Sequence, residues 1–437
     1  IDDGRILNIT NTEMVGLTTI GEYDPHTHSS YVCAGSLEQV SVTDHFSVPN
    51  GGINDRQETP IEGTVRFNDD LNTLEFFNGV EWRQFTYNQG QSGRAVFGGG
   101  YSVSGTNNGN MEFINIMSLG NGVNFGDMVL SAKYSQSGCS DGKRGLFVGG
   151  QSVSDIEYIT ISTQGNSTDF GSNIVEGKRR CSGFGSRVRG FCAAGRTPTN
   201  KSTIDFVTFS STGTTTAWGD NTSATGTADN SGFANSTRGM TKAGYQSPGI
   251  TGTLDYLTMS STGGVQDFGD LATHGDAGGA CANPTRGILA GAYNPANDDT
   301  MSFVTIPTLG DAKDFGNLSI GRYSLGSCAN SVRGIWGGGA RRSPATPNSS
   351  MTIMDSITIP TLGNAVEFGD LSVGRSTASA VSSKTRGVWG GGYEPSGSDV
   401  IDYVEFATQG TAVDFGNLSV RIGGKGSAAS NGHGGLG

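Results

Sequence analysis

Charge is scarce in this chain. Only 16% of its 437 residues are charged, against ~25% in ordinary domains. Acids outnumber bases, 40 to 28, and no run of Lys or Arg could follow a phosphate backbone, which argues against a nucleic-acid partner. Histidine is rarer still, at five residues. No HExxH, no Ser-His-Asp set and no paired-carboxylate pattern stands out, so no enzyme activity and no cofactor are expected. No apolar run approaches the ~18 residues of a membrane span, and no sustained 3.6-residue period marks an amphipathic helix. Membrane insertion is not expected. The six cysteines contain no CxxC spacing, which removes the zinc-ribbon and thioredoxin readings.

Glycine, by contrast, supplies 71 residues, about twice the usual ~7%, and it is distributed with a period. The string "RGxxxGG" and its variants open at Arg94 (followed by Ala95), Arg144, Arg189, Arg238, Arg286, Arg333 and Arg386, spaced by 50, 45, 49, 48, 47 and 53 residues. A second marker, an aromatic residue before glycine, follows at Phe125, Phe170, Trp218, Phe268, Phe315, Phe368 and Phe415. Both markers count seven units.

Each unit resolves into four short strands: the "RGxxxGG" string, an alternating segment such as "IEYITIST" or "IDYVEFAT", the short "xDFG" segment, and a fourth strand before the next Arg-Gly. Four strands in about 45 to 53 residues is a β-propeller pattern. The fourth strand is built from small residues. Counting back from each Arg, position −7 is Ser or Gly, −6 is Gly, Ala or Ser, and −4 is Ser, Gly or Ala, whereas −5 is Cys, Phe or Val. Strands that converge on one axis have little room, so these should be the innermost. Tyr87, Asn88, Gln89 and Gly90, before Arg94, fail the rule; "GKGSAASNGHGG" near the C-terminus satisfies it with His433 in the Arg position. The C-terminal strand is therefore expected to close the ring beside residues 94–100. Cys139, Cys281 and Cys328 fall in the −5 slot and Cys192 in an "RGFCAAG" strand, where they read as buried thiols; Cys33 stands alone.

The order of strand, Gly-Gly, loop, alternating strand, aromatic and Arg-containing return resembles the kelch motif. The units and the ending "SNGHGGLG" are more similar to repeat proteins among the virion structural proteins of marine and cyanobacterial tailed phages. The string "PIEGTVRFNDDLNTLEFFNGVEWRQF" is similar to a short module of phage tail-fibre proteins, and physically it reads as a β-hairpin with Trp82 as apolar anchor and a turn at Asn78-Gly79. Together these imply an all-β protein of three parts: an extended attachment and oligomerisation segment over 1–60, a hairpin module over 61–93 and a seven-bladed propeller over 94–437. They imply a homotrimeric, non-enzymatic virion component, made in the host cytoplasm. It would join other virion proteins through its N-terminal segment and recognise a host-surface glycan or protein; the alternative is a decoration protein that binds no receptor.

The repeated acids Asp169, Asp267, Asp314 and Asp414 are read as structural, bonded to backbone or to the repeated arginines. Candidates for recognition lie after the Gly-Gly: Tyr101, Arg196, Tyr245, Tyr293 and Tyr393, with Arg341 and Arg342 in the longest loop. Planar side chains there suit saccharide or protein contacts, or they cover strand ends. His26 and His28 form an HxH pair that could ring an axial metal in a three-fold fibre, or sit in a polar loop.

Overall fold

The computed structural model describes residues 22–24, 29–31 and 48–432, apart from short stretches at 71–72, 85–92, 102–107, 131–132, 152, 214, 224–225, 247–248, 274, 295, 343–348, 395–396 and 423–425. It is an all-β, propeller-like arrangement, with no α-helix among the described residues and one 3-10 turn, Ile53–Asp55. The chain divides into two compact units, 1–88 and 89–437.

In the first unit a four-stranded sheet runs Asn50–Gly51, Val65–Asn68, Thr73–Phe77 and Trp82–Gln84, with the first pair parallel. The short parallel strand lies upstream of the hairpin that sequence alternation picks out, so the module starts before residue 61; too brief to alternate, it is held by Phe67 N–H donating to Pro49 O at 2.7 Å. Asn78 Oδ1 accepts the N–H groups of Val80 and Glu81 and closes the predicted turn. Glu75 is fully buried, and burial alone would raise its pKa, but hydrogen bonds from Arg56 and Asn68 hold it below the ordinary value.

Among its described residues the second unit contains seven four-stranded antiparallel sheets. Their second strands, each opening at a repeat arginine, are Arg94–Gly98, Arg144–Val148, Arg189–Arg196, Arg238–Lys242, Arg286–Asn294, Arg333–Gly337 and Arg386–Gly390, here numbered sheets 1 to 7. The innermost strands of sheets 2 to 7 are the small-residue segments, Ser137–Ser140 through Ser379–Ser382, and each lies beside the innermost strand of the next sheet. In sheet 1 that strand is Ser427–Ser430, paired with residues 95–98 and lying beside both Ser379–Ser382 and Ser137–Ser140. Its register is one residue later than the sequence count from His433 placed it: Ser427 faces Gly98 as Ser137 faces Val148. Burial decides this, because Ser427 and Ala429 are covered while Ala428 and Ser430 are half-exposed, the same alternation as in Ser137–Ser140.

The hydrophobic core lies between neighbouring sheets, in clusters shared by two sheets each. One joins Ile288, Met301 and Phe315 to Trp336, Ile357 and Ile359. The −5 side chain of one innermost strand packs on the Arg-Gly glycine of the next sheet. A Cβ on Gly334 would stand 2.8 Å from Cys281 Sγ, on Gly387 2.6 Å from Cys328 Sγ, and on Gly145 2.6 Å from Ala429. Glycine recurs there because the neighbour occupies the space.

Candidate functional site

The repeat arginines bind backbone in the next sheet. Arg94 Nη1 donates to Ile161 O at 3.0 Å, Arg189 to Met259 O at 2.8 Å, Arg238 to Ile306 O at 2.6 Å, Arg286 to Ile359 O at 3.0 Å, and Arg386 to Ile116 O at 3.1 Å. Arg144 reaches Phe209 O and Arg333 reaches Phe406 O in the same way. Each guanidinium also lies over an aromatic ring of its own sheet, as Arg94 over Phe113 at 4.3 Å. The repeat acids bind their own turn: Asp169, Asp267, Asp314 and Asp414 accept the N–H of the glycine two residues on, at 2.8 to 3.1 Å. Asn124 does the same at 3.0 Å, which explains how the acid can be replaced there. Both sets are committed to structure.

A second polar system sits between sheet layers, and the sequence pattern did not single it out. The acid in the middle of the alternating strand meets a cation four residues before the innermost strand: Lys133–Glu157 at 2.8 Å, and Lys178–Asp205, Arg322–Asp355 and Arg375–Asp402 at 2.7 Å, all almost fully buried. Its signal was the Glu or Asp inside strings such as "IEYI" and "IDYV". Sheet 4 breaks the rule. Asp255 has Thr222 for its partner, at 3.0 Å from the Thr222 N–H, and burial raises its pKa. Buried Lys242 donates to Gly275 O, and desolvation lowers it to about 8.

The face that carries the sequence-predicted loops is built differently. Two residues before each innermost strand of sheets 2 to 7 stands a non-glycine residue in the left-handed region: Ser135, Arg180, Asp229, Ala277, Ser324 and Thr377, at φ 53° to 58°. This conformation costs about 1 kcal/mol or more each for L-residues. Hydrogen bonds offset it in five of the six, since the N–H groups of Arg180, Asp229, Ala277, Ser324 and Thr377 each donate to the carbonyl of the counterpart in the preceding sheet, from Arg180 to Ser135 at 3.0 Å round to Thr377 to Ser324 at 2.9 Å. These residues border a cavity of about 300 Å³.

The residue before each left-handed position bridges to the residue after Gly-Gly, as Ala228 does to Tyr245, Asp276 to Tyr293, Tyr323 to Ala340 and Ser376 to Tyr393. The predicted side chains therefore flank the cavity mouth. Tyr101, 41% exposed, packs edge-on against Tyr134 at 5.4 Å. Arg179 donates to Tyr134 Oη at 3.1 Å and also to Gln151. Tyr293 packs against Tyr323 at 5.3 Å and receives a hydrogen bond from Arg342. Arg196 lies over Tyr245 at 5.9 Å. Tyr393 and Arg341 are exposed. Tyr134, Tyr323 and Arg179 were not foreseen, because they precede the innermost strands rather than follow Gly-Gly. His26 and His28 lie outside the described residues, as do residues 343–348 of the Arg341 loop.

Cys139, Cys192, Cys281 and Cys328 are buried free thiols, and burial raises Cys139 to about 12. Among the described residues no group of three His, Cys, Asp or Glu side chains could hold a metal ion.

No protein-family model matches the chain, and no curated protein is similar to it. Among solved structures it is similar to one titled "Structure of YjhT", with a TM-score of 0.51 and 10% identity over 63% of this chain and 96% of the other. At that identity the likeness concerns the fold alone.

Proposed function

We propose that the seven sheets are the blades of a seven-bladed β-propeller closed by its C-terminal strand, and that the protein is a non-enzymatic fibre component of a phage particle that presents one propeller face to the host surface. The observation that carries this reading is the division of labour among the polar side chains. The repeat arginines and acids are consumed in backbone contacts, whereas Tyr101, Tyr393 and Arg342 remain exposed in the loops that follow Gly-Gly. Exposed planar side chains on a rigid scaffold provide contact area at low entropic cost. The residues ahead of the Asn50–Gly51 strand then serve attachment to other virion proteins and trimer formation, as the fibre-module resemblance implies.

The decoration reading has one observation in its favour. Leu119, Leu309 and Leu362, 58 to 60% exposed, occupy the same turn in sheets 1, 5 and 6, at the end of the sheets opposite the cavity mouth. Such an apolar set suits packing on another protein. Adsorption of the labelled full chain to a panel of cyanobacterial and marine bacterial cells tests the first reading: saturable binding to a subset of strains supports it, and absence of binding to every strain favours decoration.

A further inference from the structure

We infer that Cys181 and Cys192 form a reversible disulfide at the cavity end of sheet 3 when the chain passes from a reducing to an oxidising medium. This goes beyond the reading given above and holds whatever the face binds. Register comes first. Gly183 faces Cys192 in the two inner strands of sheet 3, so Cys181, two residues before Gly183, projects to the same side of the ladder as Cys192. The corresponding pairs in sheets 6 and 7, Leu325 with Trp336 and Ala378 with Trp389, share one apolar cluster each. Sheet 3 alone of the seven carries sulfur at both positions, and its two thiols are hydrogen-bonded to each other. Diagonal neighbours in a flat ladder stand ~7–8 Å apart, just outside the ~7 Å Cα reach of a disulfide. This end of the ladder is not flat. Arg180, beside Cys181, and Ala194, opposite it, are both left-handed, at φ 58° and 53°, and thiols already in contact leave only a small adjustment at a strand end.

Access and acidity divide the roles. Cys181 is partly exposed and lines the cavity of about 300 Å³, whereas Cys192 is buried. The Cys192 hydrogen bond draws the Cys181 thiol below its ordinary pKa; burial opposes this, and the Lys178 ammonium assists it. Cys192 is pushed up by the same bond and by burial. Cys139, in the same cluster, is pushed up to about 12 by burial and stays a thiol. Only a thiolate attacks a disulfide. The Cys181 thiolate therefore attacks a low-molecular-weight disulfide that enters the cavity, forming a mixed disulfide and releasing one thiolate. That thiolate takes the Cys192 proton, and the Cys192 sulfur then displaces the second thiolate from Cys181. Two protein thiols become one disulfide, and the small disulfide becomes two small thiols. The bond ties the two strands together beside Arg180, whose N–H is bonded to Ser135 O of the preceding sheet.

The test treats the reduced full chain with bis(2-hydroxyethyl) disulfide, quenches it in denaturant with N-ethylmaleimide and maps the tryptic peptides. Cleavage after Arg180, Arg187, Arg189 and Arg196 puts the two cysteines on separate peptides, so a bond between them appears as a linked pair. That pair is expected, with at least a tenfold fall in both maleimide-labelled peptides and full recovery after dithiothreitol. Cys192→Ser should keep a mixed disulfide on Cys181, and Cys181→Ser should leave Cys192 a free thiol. The parent measurement stands without either variant. Recovery of both cysteines as maleimide adducts, a mixed disulfide that persists on Cys181 of the parent, or a link from either cysteine to Cys139 overturns the inference.

Discussion

Gly287 and Gly410 look alike in the sequence and stand in different surroundings. A Cβ on Gly287 would be driven into the Phe233 ring of the neighbouring sheet, while one on Gly410 meets nothing within 4 Å. Gly287→Ala should therefore cost roughly 1 to 3 kcal/mol or more through overpacking, and Gly410→Ala should stay within about 0.5 kcal/mol; equal melting temperatures would show the neighbour is misplaced. Buried charge gives a second contrast. For Glu157, burial pushes the pKa up, but Lys133, the Leu130 N–H and the Ser167 hydroxyl more than reverse that, so it lies below its ordinary value. Its contribution is present at neutral pH and is lost as pH falls through the carboxylate range. Asp255 is shifted upward, so its contribution is greatest in acid and declines as pH rises. Glu157→Gln should destabilise by about 3 kcal/mol at pH 7, whereas Asp255→Asn should be neutral or stabilising at pH 8 and lose that advantage near pH 4. Thermal melts across that range decide it. The repeat arginines and glycines were legible because they recur; the ion pairs were hidden because their two halves lie in separate strings and three of the seven sheets have no cation at that position.

At the scale of strands, small-residue periodicity located the innermost strands and identified the C-terminal segment as one of them. It missed the register by one residue, because "GSAAS" satisfies a small-residue rule in either register, and burial alternation separates the two only when the neighbouring sheet is in place. The pairing has a local signature. Arg94 N–H donates to Asn431 Oδ1 at 2.7 Å, as Arg238 N–H donates to Asn235 Oδ1 at 2.7 Å within one continuous turn. Deleting residues 426–437 removes that partner and bares the Arg94–Gly98 strand edge. The melting temperature should drop by more than about 5 °C, and an unchanged melt would mean the strand contributes nothing to closure. The left-handed residues before the innermost strands could not be read from sequence, since Ser, Arg, Asp, Ala and Thr share no preference for that conformation.

The whole molecule comprises two units of unequal size, and the proposed fibre role requires the smaller to assemble. Sedimentation of the full chain should give a trimer, and a monomer at micromolar concentration would leave the fibre reading without its attachment device. In the proposed propeller the fixed polar contacts lie within and between the sheets and the variable planar side chains lie in the loops after Gly-Gly, so recognition and support should be separable by mutation. The most direct measurement is adsorption to a susceptible strain of two triple variants, one with Tyr101, Tyr293 and Tyr393 changed to Ala and one with Leu119, Leu309 and Leu362 changed to Ser. Both should melt like the parent. The tyrosine variant should lose at least tenfold in cell binding while the leucine variant keeps it; retained binding in the first and loss in the second would contradict the account and place the working face at the opposite end of the sheets.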